Sequence, residues 1–465
     1  MSTNNEPNYN NTGIDIRGLN DYSFMTQSYE GSGGYKSGEF LLPYSREAFY
    51  DDRKKLSAYR NFIRPIVDAV VNPVFNRPII RKTTNKMFEA FLENVDVKGT
   101  DINTHVNDVM TLSRLHGVVF VVLDNFIDLP DTEAQSIAER KFPYTKIQPA
   151  FCVQSYSTDD FDRLTSITFK NNAEWEEKPA ILLTTWTKDY LKKEYIDATS
   201  TANREPKVLY TQTYQHNLGV LPVISVYSTG TEEVLPLPPF YSIGRIGYSI
   251  FNKDSELRDQ ERAQAFSVFY IQTDTNDNSI TLGAHNAIII PASDQISITP
   301  GYVAPDPAIL AQLVANNKDL VESLFTASEQ MGVVGVQRAN SGIAASYKFI
   351  GINSQLQRTA KIAQEYESTL ASLFGNYVGT EIDYEVAYAK TYEPSINADN
   401  IDAIVKLLGI ETSPEVKYEV KSMLVREYLD HLGSDKLNEL VLTMEMVNEE
   451  VKPEIVDVIP VIDEE

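Results

Sequence analysis

Cysteine and long apolar runs are both scarce in this chain. Its one cysteine, Cys152, excludes a disulfide within the chain and a thiolate metal cluster. Cys152 lies in the apolar run IQPAFCV, which predicts a small buried residue on a strand. No window reaches the roughly 18 uninterrupted apolar residues of a membrane span. The segment MSTNNEPNYNNTG lacks the apolar core of a secretory signal, so we expect a soluble protein made without secretion.

Basic residues are also in deficit. The chain has 41 Lys and Arg against 65 Asp and Glu, a formal net charge of -24. Such a balance argues against a protein whose whole surface grips nucleic acid, because neutralising phosphates needs basic side chains, but it allows a protein that handles DNA without holding it. Apolar residues make up 42% and aromatic residues 10%, which is enough for a substantial core. A length of 465 residues suggests two to four domains or one elaborate domain.

Signatures of catalysis are missing as well. The sequence contains no GxxxxGK[ST], HExxH or GxSxG motif. Its five histidines stand singly along the chain: His105, His116, His216, His285 and His431. The acid pairs Asp159-Asp160 and Glu232-Glu233 lie in turn-like segments, which favours solvated turns over a carboxylate site. We therefore expect no enzymatic activity, no metal and no cofactor.

One basic cluster contrasts with the acidic whole. Its members are Arg46, Arg53, Lys54, Lys55, Arg60, Arg64, Arg77, Arg81, Lys82 and Lys86. One interpretation is a solvated helix face paired with Asp51 and Asp52. The other is a contact with a neighbouring subunit or with nucleic acid.

The sequence of the first half of the chain predicts an irregular arm followed by both helices and strands. Residues 1–44 are rich in Asn, Ser, Gly and Tyr, and indicate an irregular arm that is poorly ordered unless a neighbour holds it. A helix is expected from about Arg46 to Val70, kinked or divided at Pro65. Met87–Asn94 and Asn103–His116 follow as helices, and Gly117 closes the second before the buried strand VVFVVLD. The later strands are expected to form a mostly antiparallel sheet: IQPAFCVQS, LTSITF, AILLTTW, YLKKEYI, VLYTQTY and LPVISVYS.

The second half predicts long helices around a small β insertion. A helix begins near Phe240, and another begins at Asp306-Pro307 with Asp as N-cap and Pro in the first turn. Between them lie the predicted strands SVFYIQT, SITLG, AIIIP and QISITP. The second helix is expected to end near Met331, where the glycine-containing stretch MGVVGVQRANSGIAAS begins. A third long helix follows, in which Gly351 favours a bend, and then the strand YEVAYAK and C-terminal helices.

This order of parts resembles the portal protein, or head-to-tail connector, of tailed bacteriophages. The resemblance covers residues from about 46 to 448. It is carried by four stretches: RNFIRPIVDAVVNPVFNRPI, DVMTLSRLHGVVFVVLD, EQMGVVGVQRANSGIAASYKFIGINSQLQRTAKIAQEYESTLASLF and IVKLLGIETSPEVKYEVKSMLVREYLD. None of them is a catalytic signature, and their shared order carries the resemblance. The arm 1–44 matches no portal feature.

The resemblance implies an α+β, portal-like fold with an α/β wing, a two-helix stem, a small β-containing clip, a long bent helix and a helical crown. The implied divisions are an N-terminal arm (1–45), wing (46–239), stem helix (240–263), clip (264–305), second stem helix (306–331), tunnel loop (332–343), long wing helix and strand (344–394), crown (395–448) and acidic tail (449–465). The tunnel loop would project into a DNA channel. Its candidate residues are Gly335, Val336, Gln337, Arg338, Ala339, Asn340, Ser341 and Gly342.

The implied function is a ring of usually about twelve subunits at one capsid vertex. Double-stranded DNA would pass through it during packaging and ejection. A terminase motor, a head-tail adaptor and the major capsid protein would be its partners, and no membrane would be involved. The protein would be assembled in the host cytoplasm and reside in the virion. Two alternatives stay open: another oligomeric virion component without a DNA channel, and an enzyme with a carboxylate site.

Overall fold

The computed structural model describes residues 3–5, 20–44, 47, 49–198, 207–230, 233–265, 268–273, 287–291, 298–303, 307–328, 342–390 and 392. Its helices are α1 (Asp21–Glu30), α2 (Gly34–Ser37), α3 (Tyr50–Leu56), α4 (Ile63–Asp68), α5 (Asn72–Phe75), α6 (Lys86–Glu93), α7 (Ile102–His116), α8 (Glu133–Glu139), α9 (Tyr241–Ala265), α10 (Pro307–Ala327) and α11 (Gly342–Val378). Its strands are β1 (Thr3–Asn5), β2 (Ile80–Thr83), β3 (Val118–Asp124), β4 (Tyr144–Pro149), β5 (Val153–Thr158), β6 (Leu164–Trp175), β7 (Lys178–Trp186), β8 (Tyr190–Asp197), β9 (Val208–Gln215), β10 (Val223–Tyr227), β11 (Val268–Thr273), β12 (Ala287–Pro291), β13 (Gly301–Val303) and β14 (Tyr384–Ala387). The described fold therefore mixes helices with several separate sheets.

The strands among the described residues form four sheets. The largest has the order β1-β5-β6-β7-β8-β9, and each neighbouring pair in it is antiparallel. The others have the orders β10-β3-β4, β12-β11-β13 and β14-β2. The predicted antiparallel sheet is thus confirmed for β5 to β9, but the segment LPVISVYS contains β10, which pairs with β3 in another sheet. The segment IQPAFCVQS is not one strand, however, because the chain makes a 3-10 turn over Ala150–Cys152 after Pro149 and passes from one sheet to the next.

Strand β3 forms the wall between two apolar cores. Every residue of β3 is buried, and its alternate side chains point to opposite faces. Val119, Val121 and Leu123 join a large core built with the helices, while its other apolar side chains join a smaller core under the largest sheet. Gly117 joins α7 to β3 with φ of 87°, and a Cβ atom there would lie 3.0 Å from the Pro236 ring. The predicted unit of helix, glycine and buried strand is confirmed.

Residues 20–44 of the predicted irregular arm contain two helices, α1 and α2. Helix α1 lies within the predicted irregular arm, begins with the Asn20 side chain accepting a bond from the Ser23 amide, and buries Phe24 and Met25 in the large core. It packs closely on α9, where a Cβ atom on Gly244 would lie 2.7 Å from the Met25 sulfur. The prediction was wrong here because a few aromatic and sulfur-containing side chains supply the burial that the scarce aliphatic residues do not.

The long helix expected from Arg46 is also divided differently. In its place the described residues form the short helices α3 and α4, and the segment 57–62 between them is not helical. This segment places the Tyr59 ring in a stack with Tyr35, with centroids 3.8 Å apart. Pro65 lies within the first turn of α4, where its missing N–H has no helical acceptor to lose, so it does not divide a helix.

The later helices match their predicted positions. Helices α9 and α10 correspond to the helices expected near 240–263 and 306–331, and α11 is a continuous helix of 37 residues. The predicted strand QISITP is wrong where it can be compared, since residues 298–300 are not in a strand and β13 begins only after Pro300. The expected crown helices and acidic tail lie outside the described residues. Among the helices that are described, none has the length and apolar character to cross a membrane.

Candidate functional site

The predicted stem corresponds to a pair of helices that share one end. Helix α9 ends three residues before Val268, and α10 begins four residues after Val303. Val268 and Val303 are paired in the antiparallel ladder between β11 and β13, so the end of α9 lies near the start of α10. The two helices therefore run in opposite directions and lead to the small sheet β12-β11-β13, in which β12 is parallel to β11.

The pair begins in the protein body and ends at its surface. Ile243, Ile250 and Phe251 of α9 are in the large core together with Leu324 and Phe325 of α10. Residues 258–262, near the other end of α9, are exposed. Apolar side chains in the first half of α9 and near the end of α10 thus anchor the pair in the core. Residues 258–262, further along α9, face solvent.

The carboxylate of Asp254, a residue of α9, accepts hydrogen bonds from α10 and from the segment before α4. The Arg60 guanidinium donates two bonds of 2.6 Å to its two carboxylate oxygens. Asn317 of α10 donates from Nδ2 to the same carboxylate at 2.5 Å. A bidentate arginine fixes orientation as well as distance, so this carboxylate sets how α9 and α10 lie relative to the body.

A second clamp is formed by Arg53 of α3. Its guanidinium is buried and donates to both Glu47 carboxylate oxygens, at 2.6 and 2.8 Å, to the Leu42 carbonyl and to the Ser255 hydroxyl of α9. The hydrogen bonds from Arg53 hold the pKa of Glu47 below its usual value. Asn252 adds a further link, since its Oδ1 accepts from the Leu42 amide at 2.8 Å.

These contacts correct the interpretation of the basic cluster. Lys55 does pair with Asp52, at 3.4 Å, as the solvated-face interpretation expects. Arg53, Arg60 and Arg81, however, are bound by acidic groups of the same chain and position its elements. Arg46 lies outside the described residues.

A third arginine site centres on Glu367 of α11, which is buried. Arg81 of β2 donates two bonds of 2.7 Å to the two oxygens of this buried carboxylate. The hydroxyls of Tyr384 and Tyr388 also donate to it. The site joins α11 to the sheet β14-β2. Sequence reasoning missed it, although the signal was available: Glu367 lies at helical spacing from the buried Ala363, Leu370 and Phe374.

The candidate channel loop connects α10 to α11. Gly335, Val336, Gln337, Arg338, Ala339, Asn340 and Ser341 lie outside the described residues, and Gly342 is the first residue of α11. The flanking helices are the ones that the sequence predicted on either side of this loop.

The two buried histidines of α7 each contact a hydroxyl group of the same chain. His105 Nε2 is 2.7 Å from the Tyr366 hydroxyl, and His116 Nε2 is 2.9 Å from the Thr26 hydroxyl. Burial lowers the pKa of His105 to about 4 and that of His116 to about 3, so both rings are neutral near pH 7. Burial raises the pKa of the Cys152 thiol to about 11. Within the described part of the chain, no three His, Cys, Asp or Glu residues group as metal ligands would.

Asp159 lies in a turn, as predicted. Its carboxylate accepts from the amides of Phe161 and Arg163 and from the Arg163 guanidinium, the last at 2.8 Å. Glu232 is not among the described residues.

Comparison with known proteins leaves the family open. No family model and no curated protein matches the sequence. A chain in the virion of a native gene transfer agent particle is similar in structure, with 10% identity and a TM-score of 0.44 over 88% of this chain and 95% of that chain. A chain in the neck of an empty gene transfer agent particle has 10% identity and a TM-score of 0.39 over the same shares. At this level of similarity neither structure decides the fold or the function.

Proposed function

We propose that this chain is the subunit of a portal, a ring at one vertex of a phage-like capsid through which double-stranded DNA enters and leaves. The observation that carries the proposal is the helix pair α9 and α10, anchored in the core at one end and joined by a small sheet at the other. The same chain then reaches the long helix α11 through the segment expected to be the channel loop.

The charge of the chain suits such a conduit. A ring of about twelve copies would carry roughly 290 negative charges before counterions bind. An acidic wall repels phosphates, so DNA would slide past it without sticking. The glycines of the loop would let it change shape, and Arg338 would supply at most one phosphate contact per subunit.

The clamps around α9 suit a ring as well. Ring closure requires two different surfaces of each subunit to meet at a fixed angle, so the orientation of the helix pair must be set within the subunit. The contacts of Arg60 and Arg53 supply this constraint before any neighbour is bound. The proposed role is structural and includes no catalytic step. In the virion, a terminase motor, a head-tail adaptor and the capsid shell would bind the ring.

Electron microscopy of the purified protein tests the proposal. We expect rings with a central hole and a mass near 630 kDa for twelve copies of the 52.3 kDa chain. Closed shells would favour a virion component without a DNA channel. Monomers at micromolar concentration would argue against both.

A further inference from the structure

A group of exposed apolar side chains lies on and beside α3. Among the described residues, thirteen large apolar side chains are exposed, and four of them are close in sequence: Leu42, Tyr44, Phe49 and Leu56. Phe49 and Leu56 are seven residues apart, a spacing that places them on one side of α3. Arg53 of α3 lies over the Tyr44 ring and donates to the Leu42 carbonyl, which joins these two residues to the helix. We refer to the four residues as the α3 flank. A cluster of exposed apolar side chains is typical of a protein–protein contact.

The α3 flank and α10 lie on different sides of α9. Ser57, which follows α3, donates from its hydroxyl to the Ser255 hydroxyl of α9 at 2.8 Å. Asn252 of α9 accepts from an amide of the α3 flank at 2.8 Å. Asp254, between them in sequence, instead accepts from Asn317 of α10. Each residue turns an α-helix by about 100°, so these contacts leave α9 in different directions. Helix α9 therefore lies between α3 and α10.

The outer face of α10 is exposed along the helix. Exposed residues recur at steps of three or four, which keeps them on one face: Ala308, Ala311, Ala315, Asp319, Glu322 and Thr326. The opposite side of the helix contacts α9 through Asn317 and reaches the large core through Leu324. The α3 flank and the outer face of α10 are thus the two ends of a row in which α9 is the middle member.

Cyclic symmetry restricts which residues of two copies can meet. Rotation about the ring axis leaves heights along that axis unchanged, so a helix pair along the axis meets its neighbour at equal heights. Asp254 is bonded to Asn317 and the helices are antiparallel, so each step along α9 matches a step back along α10. Arg258, four residues after Asp254, donates to the Leu56 carbonyl at 2.9 Å. Leu56 therefore lies near the height of Ala315.

We propose that the α3 flank of one copy packs against the outer face of α10 of the next copy, with Leu56 beside Ala315. The contact joins two unlike surfaces on different sides of α9, so its repetition around an axis closes a ring. This inference rests on the proposed portal function and names the surfaces through which the subunits meet. A second copy is the occupant for which the chain itself supplies both surfaces at matching heights.

Two phenylalanines of similar exposure test the α3 flank. Phe49 is 74% exposed, and Phe161, in the turn between β5 and β6, is 77% exposed. Phe49→Glu would bury an unpaired charge in the proposed contact, so light scattering should show self-association weakened at least tenfold. Phe161→Glu should assemble like the wild type. Protection of the buried Cys152 from a thiol reagent shows that each variant is folded.

Cysteine cross-linking tests both surfaces together. Cys152 is the only cysteine, so in a Cys152→Ser background only introduced thiols react. Leu56→Cys combined with Ala315→Cys, treated with a short bifunctional maleimide, should give a ladder from dimers to the full ring on a denaturing gel. A ladder is expected because each copy carries one half of two contacts. Leu56→Cys combined with Ala134→Cys, an exposed alanine of α8, is the matched control and should give no ladder.

Four results would overturn the proposal. Rings of Phe49→Glu as stable as those of the wild type would remove the α3 flank from the contact and leave the portal function standing. Equal weakening by Phe49→Glu and Phe161→Glu would deny the α3 flank a special role. Wild-type rings without a ladder from the Leu56→Cys, Ala315→Cys variant would remove the α10 face. A monomeric wild-type protein would contradict this contact and the proposed function together.

Discussion

The carboxylate of Glu367 offers the sharpest test of how the core is held together. Its side chain is 1% exposed and receives two bonds from Arg81 and one each from Tyr384 and Tyr388. Replacing Glu367 by Gln keeps the shape but leaves the Arg81 cation, whose side chain is 12% exposed, without this counter-charge. Breaking a buried pair by removing one partner costs about 3–5 kcal/mol. The neutral amide still accepts some of these bonds, so we expect a cost near 3 kcal/mol, at the low end of that range.

Hydrogen exchange measures this cost locally. The sheet β14-β2 depends directly on the site, since Arg81 is in β2 and Tyr384 is in β14. A loss of about 3 kcal/mol should speed exchange of the protected amides in these strands by roughly 100-fold. Local opening is a better readout than global unfolding, because a chain of this size need not unfold in one step.

The matched control lies two residues away on the same helix. Glu365 is 66% exposed and pairs with Lys361 at 3.7 Å. Glu365→Gln should change the opening free energy by less than about 0.5 kcal/mol, because exposed pairs contribute little. Equal effects of Glu367→Gln and Glu365→Gln would refute the view that the buried network stabilises this region.

Further predictions concern the helix pair, the buried histidines, the thiol and the loop. Asp254→Asn should lower protection of α9 and α10 by about 1–2 kcal/mol, since it removes the charge that Arg60 and Asn317 share, and unchanged exchange would contradict this. Because the pKa of His105 is about 4 and that of His116 about 3, the unfolded chain binds protons below pH 6.5 while the folded chain does not, so stability should fall between pH 6.5 and 4. The opening free energy of α7, measured by hydrogen exchange at several pH values, should show His105→Gln reducing that slope by about 1.4 kcal/mol per pH unit, and an identical slope would count against a buried neutral ring. Cys152 should react with a thiol reagent only after unfolding, and rapid labelling of the folded protein would contradict its burial. Arg338→Glu should impair DNA packaging while leaving oligomers intact, and normal packaging would exclude a phosphate contact.

Much of the fold followed from local pattern. Three sequence patterns predicted their elements correctly. They are the apolar run of β3, the glycine after α7, and the apolar spacing of the helices α9, α10 and α11. Predictions from weak sequence patterns were wrong where the contacts of a few side chains determine the local structure. Helix α1 is held by Phe24 and Met25, and the segment after α3 is held by the stack of Tyr59 on Tyr35.

The polar contacts were harder to predict. Asp254 lies 194 residues from Arg60 in sequence, and Glu367 lies 286 residues from Arg81. No local pattern pairs residues so far apart, so the sequence analysis grouped these arginines in one basic cluster and left two interpretations of it open. The short strand β2 and helix α8 were also not predicted, because each is brief and lacks a clear period.

The central claim is that many copies of this chain close into a ring around a channel. The most direct measurement is electron microscopy of the purified full-length protein, with end views averaged without imposed symmetry. The proposed function predicts closed rings of about twelve subunits with an open centre. Monomers, or particles without a central hole, would contradict it.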